Sequence, residues 1–140
     1  MGKLISLKQK QINTLHKYFI WANRMRIFFD EILEQHLNKK IDQHKFEIEA
    51  DMYMSLWYAL LYVVIEGWQQ LKLQDAEISK LLKSDHVALL KRYRNGVFHF
   101  QKNDNDKRFT DFFEKDKSVT WVRLLTSSFS KWFLGWYQNQ

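Results

Sequence analysis

Apolar residues recur every three or four positions from Leu7 to about Leu37. Ile12, Leu15, Phe19, Ala22, Met25, Phe29, Ile32 and Leu33 fall on one stripe, the spacing of a single helix face. Lys8, Lys10, Lys17 and Arg24 lie mainly off it, and no Pro or Gly interrupts it. The segment predicts one long amphipathic helix. Asn38 to Lys45 is polar and reads as a loop. Asp51 to Leu73 is apolar on nearly every side, through Met52, Met54, Leu56, Trp57, Leu60, Leu61, Val63, Val64, Ile65, Trp68 and Leu71. A helix of that kind belongs in the middle of a bundle, with Asp51 as its N-cap. The β-branched run Val63-Val64-Ile65 suits a strand, but the segment is too long for one.

Asp75 to Lys83 reads as a short helix. Ser84-Asp85 can cap the next, which carries Val87, Leu89, Leu90 and Tyr93. Asn95-Gly96 reads as its end, because both residues tolerate the left-handed conformation. Gln101 to Arg108 is a charged loop, and Phe109, Phe112 and Phe113 suggest a short helical turn. Ser118 is placed to cap a last long helix with Val119, Val122, Leu125, Phe129, Trp132, Phe133 and Trp136 at helical spacing. No repeat, linker or domain boundary is visible. The expected fold is an all-α bundle forming one domain over residues 1–140.

Composition supports that reading. There is no Pro, there are only 4 Gly, and 11 Phe, 6 Trp and 6 Tyr supply large apolar surfaces. The absence of Cys rules out disulfides, thiolate metal sites and a cysteine nucleophile. Met1 to Lys10 holds three lysines and no sustained apolar run, unlike a secretory leader. Leu56 to Ile65, the longest apolar stretch, is too short for a bilayer and ends at Glu66. A soluble cytoplasmic protein without a membrane partner is expected. The net charge of +6 is uneven: 9 basic and 4 acidic residues over 1–45, 3 and 7 over 46–90, and 10 and 5 over 91–140. Basic ends can face a polyanion such as RNA. A solvated surface with a basic bias explains the same counts.

The candidate chemistry sits in Arg94-Asn95-Gly96-Val97-Phe98-His99. A permanent cation, an amide and a titratable imidazole are the groups that metal-free cleavage of a phosphodiester needs. In an unbroken helix Arg94 and His99 diverge by about 140°. A helix end at Asn95-Gly96 would turn both to one side. Alternatively, two copies of the segment could meet across a dimer axis. The ordinary alternative is a helix stop, with Arg94 favoured by the helix dipole and His99 a satisfied, partly buried histidine.

Arg94, Asn95 and His99, with four residues between the Arg and the His, resemble the signature of the HEPN superfamily: Arg, usually a polar residue, then His four to six positions after the Arg. The apolar helix upstream, with Leu89, Leu90 and Tyr93, and the long helix downstream agree with it. The likeness covers about residues 50–140 and implies a four-helix core with short accessory helices. The helix over about 7–37 would join that core or add to it. The resemblance implies a metal-independent endoribonuclease, often a toxin or defence effector, acting as a homodimer on RNA without a cofactor. His99 would serve as acid/base, Arg94 as phosphate clamp and Asn95 as orienting group. It also implies a cognate antitoxin or nucleotidyltransferase as a possible partner. Other members are inactive RNA-binding, nucleotide-binding or assembly modules, which leaves a non-catalytic role open.

Supporting positions follow from local chemistry. Glu66 interrupts an apolar stretch, so Arg94 or Arg92 is its expected partner; reaching the helix surface is the alternative. Lys91, Arg92, Lys102, Lys107 and Arg108 flank the motif, interleaved with Tyr93, Phe98 and Phe100. They suggest a nucleic-acid-binding rim, although such rings are often core. His16, His36, His44 and His86 show no paired metal-ligand spacing, so no metal is expected. His16 reads as a surface residue.

Overall fold

The computed structural model describes residues 5–140, which form six helices and, among the described residues, no strand. They are α1 (Leu7–Leu37), α2 (Gln43–Gln70), α3 (Ala76–Leu81), α4 (His86–Phe98), α5 (Lys107–Glu114) and α6 (Ser118–Gln138). Four are long enough to form the body of a bundle. The short α3 and α5 brace its ends.

The apolar stripe of α1 packs along α2 in antiparallel sense. Leu15 reaches Gly67, the Phe29 ring meets Trp57, and His36 stacks on Phe46 at the other end. Ile12, Leu15, Phe19 and Ala22 are buried in the same core as Trp57, Leu61, Ile65 and Trp68, so α1 is integral to the bundle. α2 is the central helix, with α1 and α4 both packed on it. By length and composition alone it is also apolar enough to cross a bilayer. α6 runs antiparallel to α1, and the Arg123 guanidinium grips Asp30 of α1 at 2.7 Å and 3.4 Å.

Several local expectations change. α2 begins eight residues before Asp51, with Asp42 as its N-cap accepting from the Lys45 amide at 3.2 Å. The polar stretch 43–50 is helical because Phe46 and Ala50 turn inward while Glu47 and Ile48 face solvent. α4 continues through Asn95-Gly96 to Phe98. Gly96 is not a helix stop here. A Cβ on it would lie 2.8 Å from the Phe109 ring and 3.1 Å from Arg108 Cβ, so glycine is needed for the close approach of α5. At the start of α4 the Ser84 hydroxyl accepts from the His86 amide at 3.2 Å, while Asp85 makes no capping bond. Ser118 is the buried first residue of α6 and donates backwards to the Phe112 and Lys115 carbonyls; Lys117 holds the cap position.

α1 and α2 end alike. At each, a lysine takes the left-handed conformation just past the helix (Lys39, φ 56°; Lys72, φ 53°). The following amide then bonds back to the carbonyl five residues earlier: Lys40 to Gln35 at 2.8 Å, Leu73 to Trp68 at 3.2 Å. Both are Schellman ends with lysine where glycine is usual.

Candidate functional site

α4 is positioned by its inward residues. Leu90 and Tyr93 are fully buried, and the Tyr93 ring packs against Tyr58, Phe109, Phe112 and Phe113. Its hydroxyl reaches Ser55 on α2 at 3.2 Å. Burial, chiefly, raises the Tyr93 phenol well above its ordinary value, so it stays a neutral hydrogen-bonding group. Tyr93 thereby fixes the rotation of α4 on α2.

Arg94, one position on, turns toward the C-terminal half of α2. Its guanidinium lies 4.8 Å from the centre of the Tyr62 ring. Nη1 donates to Glu66 Oε1 at 3.4 Å, and Nε donates to Asn95 Oδ1 at 3.0 Å. Glu66 meets Arg94 at the helix surface, with its own side chain 39% exposed, while Arg92 pairs with Asp111 at 2.6 Å. These contacts hold Arg94 in one orientation and leave three of its five N–H donors unengaged. Burial raises the Tyr62 phenol, Glu66 adds to that, and Arg94 opposes it.

His99 is the C-cap of α4, in extended backbone (φ −123°, ψ 128°), with its amide bonded to the Asn95 carbonyl. Its carbonyl accepts from Gln101 Nε2 at 2.7 Å. The imidazole is exposed and, among the described residues, has no hydrogen-bond partner. Phe98 and Phe100 also point outward, Phe100 at 92% exposure, so neither seals the imidazole.

His99 lines a groove of about 830 Å³ between the N-terminal half of α2, the end of α4 and α5. Tyr93, Val97, Phe109 and Phe113 give it an apolar floor, and Ser55 and Thr110 add hydroxyls. Glu47, Asp51, Asp104 and Glu114 contribute four carboxylates, and no Lys or Arg lines it. Arg94 and Asn95 are not in its wall. The reason is directional. Arg94 engages Tyr62 and Glu66, whereas His99 opens beside Asp51 and Glu47. Asp51 and Tyr62 are the nearest of these, separated along α2 by a rise of about 16 Å. Within one chain Arg94 is anchored on the C-terminal half of α2 and does not line the groove into which His99 opens.

The flanking cations face elsewhere. Lys91, Lys102 and Lys107 are exposed, and Arg108 turns back to Asp106 at 3.3 Å and Gln101 at 2.8 Å. His16, expected at the surface, is half-buried, with its ring 4.8 Å from Phe133 and 4.9 Å from Tyr137. The groove carboxylates were not legible as a set, because Glu47, Asp51, Asp104 and Glu114 come from three separate segments. Among the described residues no group of three or more His, Asp or Glu converges as a metal site. No family model matches the chain, and no curated protein or solved structure matches it either.

Proposed function

We propose that this chain is a HEPN-like, metal-independent endoribonuclease whose site is completed by a second copy, with His99 as acid/base, Arg94 as phosphate clamp and Asn95 as orienting group. One observation carries the reading. The His99 imidazole is exposed and unpaired at the end of α4, free to exchange a proton with a ligand. Arg94 supports it, because Glu66 and Asn95 hold its planar fork while leaving donors for a phosphate.

The chemistry requires no group beyond these side chains and the RNA. The 2′-hydroxyl attacks the adjacent phosphorus, forming the P–O2′ bond as its proton passes to an imidazole. The P–O5′ bond breaks and the leaving oxygen takes a proton from a second imidazole. Two His99 side chains from paired chains would act as base and acid, and Arg94 would offset charge on the pentacoordinate phosphorus. A single chain supplies one imidazole, which serves one proton transfer at a time, and Arg94 does not line the His99 groove; a second copy would supply the other acid/base group.

The test is cleavage of RNA in EDTA, with 2′,3′-cyclic phosphate and 5′-hydroxyl ends as products. His99→Ala and Arg94→Ala should each lower it by at least about a hundredfold with the helical fold intact. An excess of His99→Ala subunits, equilibrated with wild type, should suppress the remaining activity by trapping active chains in mixed dimers. Full activity of His99→Ala would eliminate the reading. Unchanged specific activity in the mixture would eliminate completion by a second copy.

A second reading, a binding or assembly module without turnover, draws support from charge. The four groove carboxylates repel a polyanion. In that case partner binding without cleavage is expected, and Glu47→Lys with Asp51→Lys should weaken it.

A further inference from the structure

The space between α1 and α6 has a charge pattern opposite to that of the His99 groove. At one end Asn23 and Arg26 of α1 and Arg123, Thr126, Ser127 and Ser130 of α6 enclose a recess of about 270 Å³. Every one of these side chains can donate a hydrogen bond, two are cations, and none is an acid. Asp30 lies outside that wall but fixes both guanidinium groups. It accepts from Arg123 at 2.7 Å and 3.4 Å and from Arg26 Nη1 at 3.0 Å. Arg26 Nε also donates to Asn23 Oδ1 at 2.8 Å, and Arg123 lies 5.2 Å from the centre of the Trp57 ring. One carboxylate thus orients two cations and neutralises only one of them. Each arginine engages two of its five N–H groups and keeps three. Ser127 and Ser130 are exposed and, among the described residues, their hydroxyls have no partner. Thr126 is already engaged by Trp57 and the Val122 carbonyl.

The recess continues into a wider groove of about 490 Å³, with Asn23 and Ser130 common to both. Its walls are largely rings and aliphatic chains, among them Phe133, Tyr137, Ile20 and Leu134. Arg24 lines it and no carboxylate does. A donor-lined anion recess opening into an aromatic groove is the general form of a small-ligand site: an apolar body with a few convergent polar groups.

We propose that this paired recess binds a phosphomonoester with an aromatic body, the chemistry of a nucleoside monophosphate. The phosphate sits against Arg26, Arg123, Ser127 and Ser130, and the ring system lies against Phe133 and Tyr137. A tetrahedral oxyanion has enough oxygens to meet two guanidinium edges and two hydroxyls, and its charge supplies what Asp30 leaves uncompensated. A carboxylate, with two oxygens, would leave donors unmet. The site is remote from His99 in sequence and wall residues, and it stands independently of the nuclease reading.

Calorimetric titration of the full chain at low salt tests this with four probes: AMP, inorganic phosphate, adenosine and a short-chain phosphatidate. AMP should bind saturably, and phosphate or adenosine alone should bind at least about tenfold more weakly. Ser130→Glu, at an exposed position compatible with the fold, and Arg26→Gln should each lower AMP affinity at least about tenfold. His99→Ala should leave it unchanged. No heat at millimolar AMP, AMP binding indifferent to Ser130→Glu, or equal affinity for the phosphatidate would each overturn the proposal.

Discussion

The His99 groove and the α1–α6 groove are built from the same kinds of helix, yet they carry opposite charge. The first has four carboxylates, a titratable imidazole and no cation in its wall. The second has three arginines, shared between its recess and its wider part, and no carboxylate in its wall. Net charge of the whole chain describes neither. A chain whose composition gives a pI of about 9.5 can offer a polyanion an unwelcoming face beside His99. The difference also separates two uses of arginine. Arg94 is held by contacts that set one helix against another, whereas Arg26 and Arg123 are held by a carboxylate while their free edges converge on one recess.

The sharpest way to break this contrast is His99→Ala. It should reduce RNA cleavage by about 10²–10⁴-fold, the range for losing a positioned acid/base, and leave AMP affinity unchanged. Loss of both would mean that the grooves are one functional unit. Gly96→Ala comes next. Its Cβ would press on Phe109 and Arg108, so a stability loss of about 1–3 kcal/mol is expected in chemical denaturation. Sub-denaturing assays should show the His99 groove altered, because Phe109 is its wall, with AMP binding retained. Glu66→Gln is a milder change. The pair is partly exposed and spans 3.4 Å, so less than about 1 kcal/mol should be lost, while cleavage should fall if the orientation of Arg94 matters.

The smallest expected effect is a pH dependence in the other groove. Burial holds the His16 imidazole below its ordinary value of 6.5. The folded chain then binds fewer protons than the unfolded chain. Stability from this group is complete above pH 6.5 and is lost as pH falls through the lowered value. Urea midpoints measured at about pH 7.5 and about 5.5 should drop more for wild type than for His16→Phe. Equal drops would assign the pH response to other groups.

The long-range pattern of the fold was legible because burial alone decides it. The α1 stripe from Ile12 to Ile32 follows helical spacing without interruption, and α2 is apolar all round because it is covered on two sides. Glu66 was legible only in part: its place in an apolar run suggests Arg94 or Arg92 as a partner, and in the fold it both meets Arg94 at 3.4 Å and reaches the surface. Gly96 was misread because glycine serves two purposes with one letter, a left-handed turn and a close approach, and only the crossing of α5 distinguishes them. The start of α2 was misread because Asp42 and Asp51 are equally good caps, and the charged Glu47 and Glu49 mask the inward Phe46 and Ala50. Neither groove was legible. Asp30 and Arg123 lie on α1 and α6 and meet only through the fold, as do the carboxylates around His99.

The two lysine-terminated helix ends give the molecule a reserve of stability. Lys39 and Lys72 hold a conformation that costs an L-residue roughly 1 kcal/mol more than glycine. Lys72→Gly should therefore raise the melting temperature by about 2–4 °C in a chain of this size, without touching either groove. That variant offers a sturdier parent on which disruptive core and groove substitutions can be compared without falling below the threshold for folding.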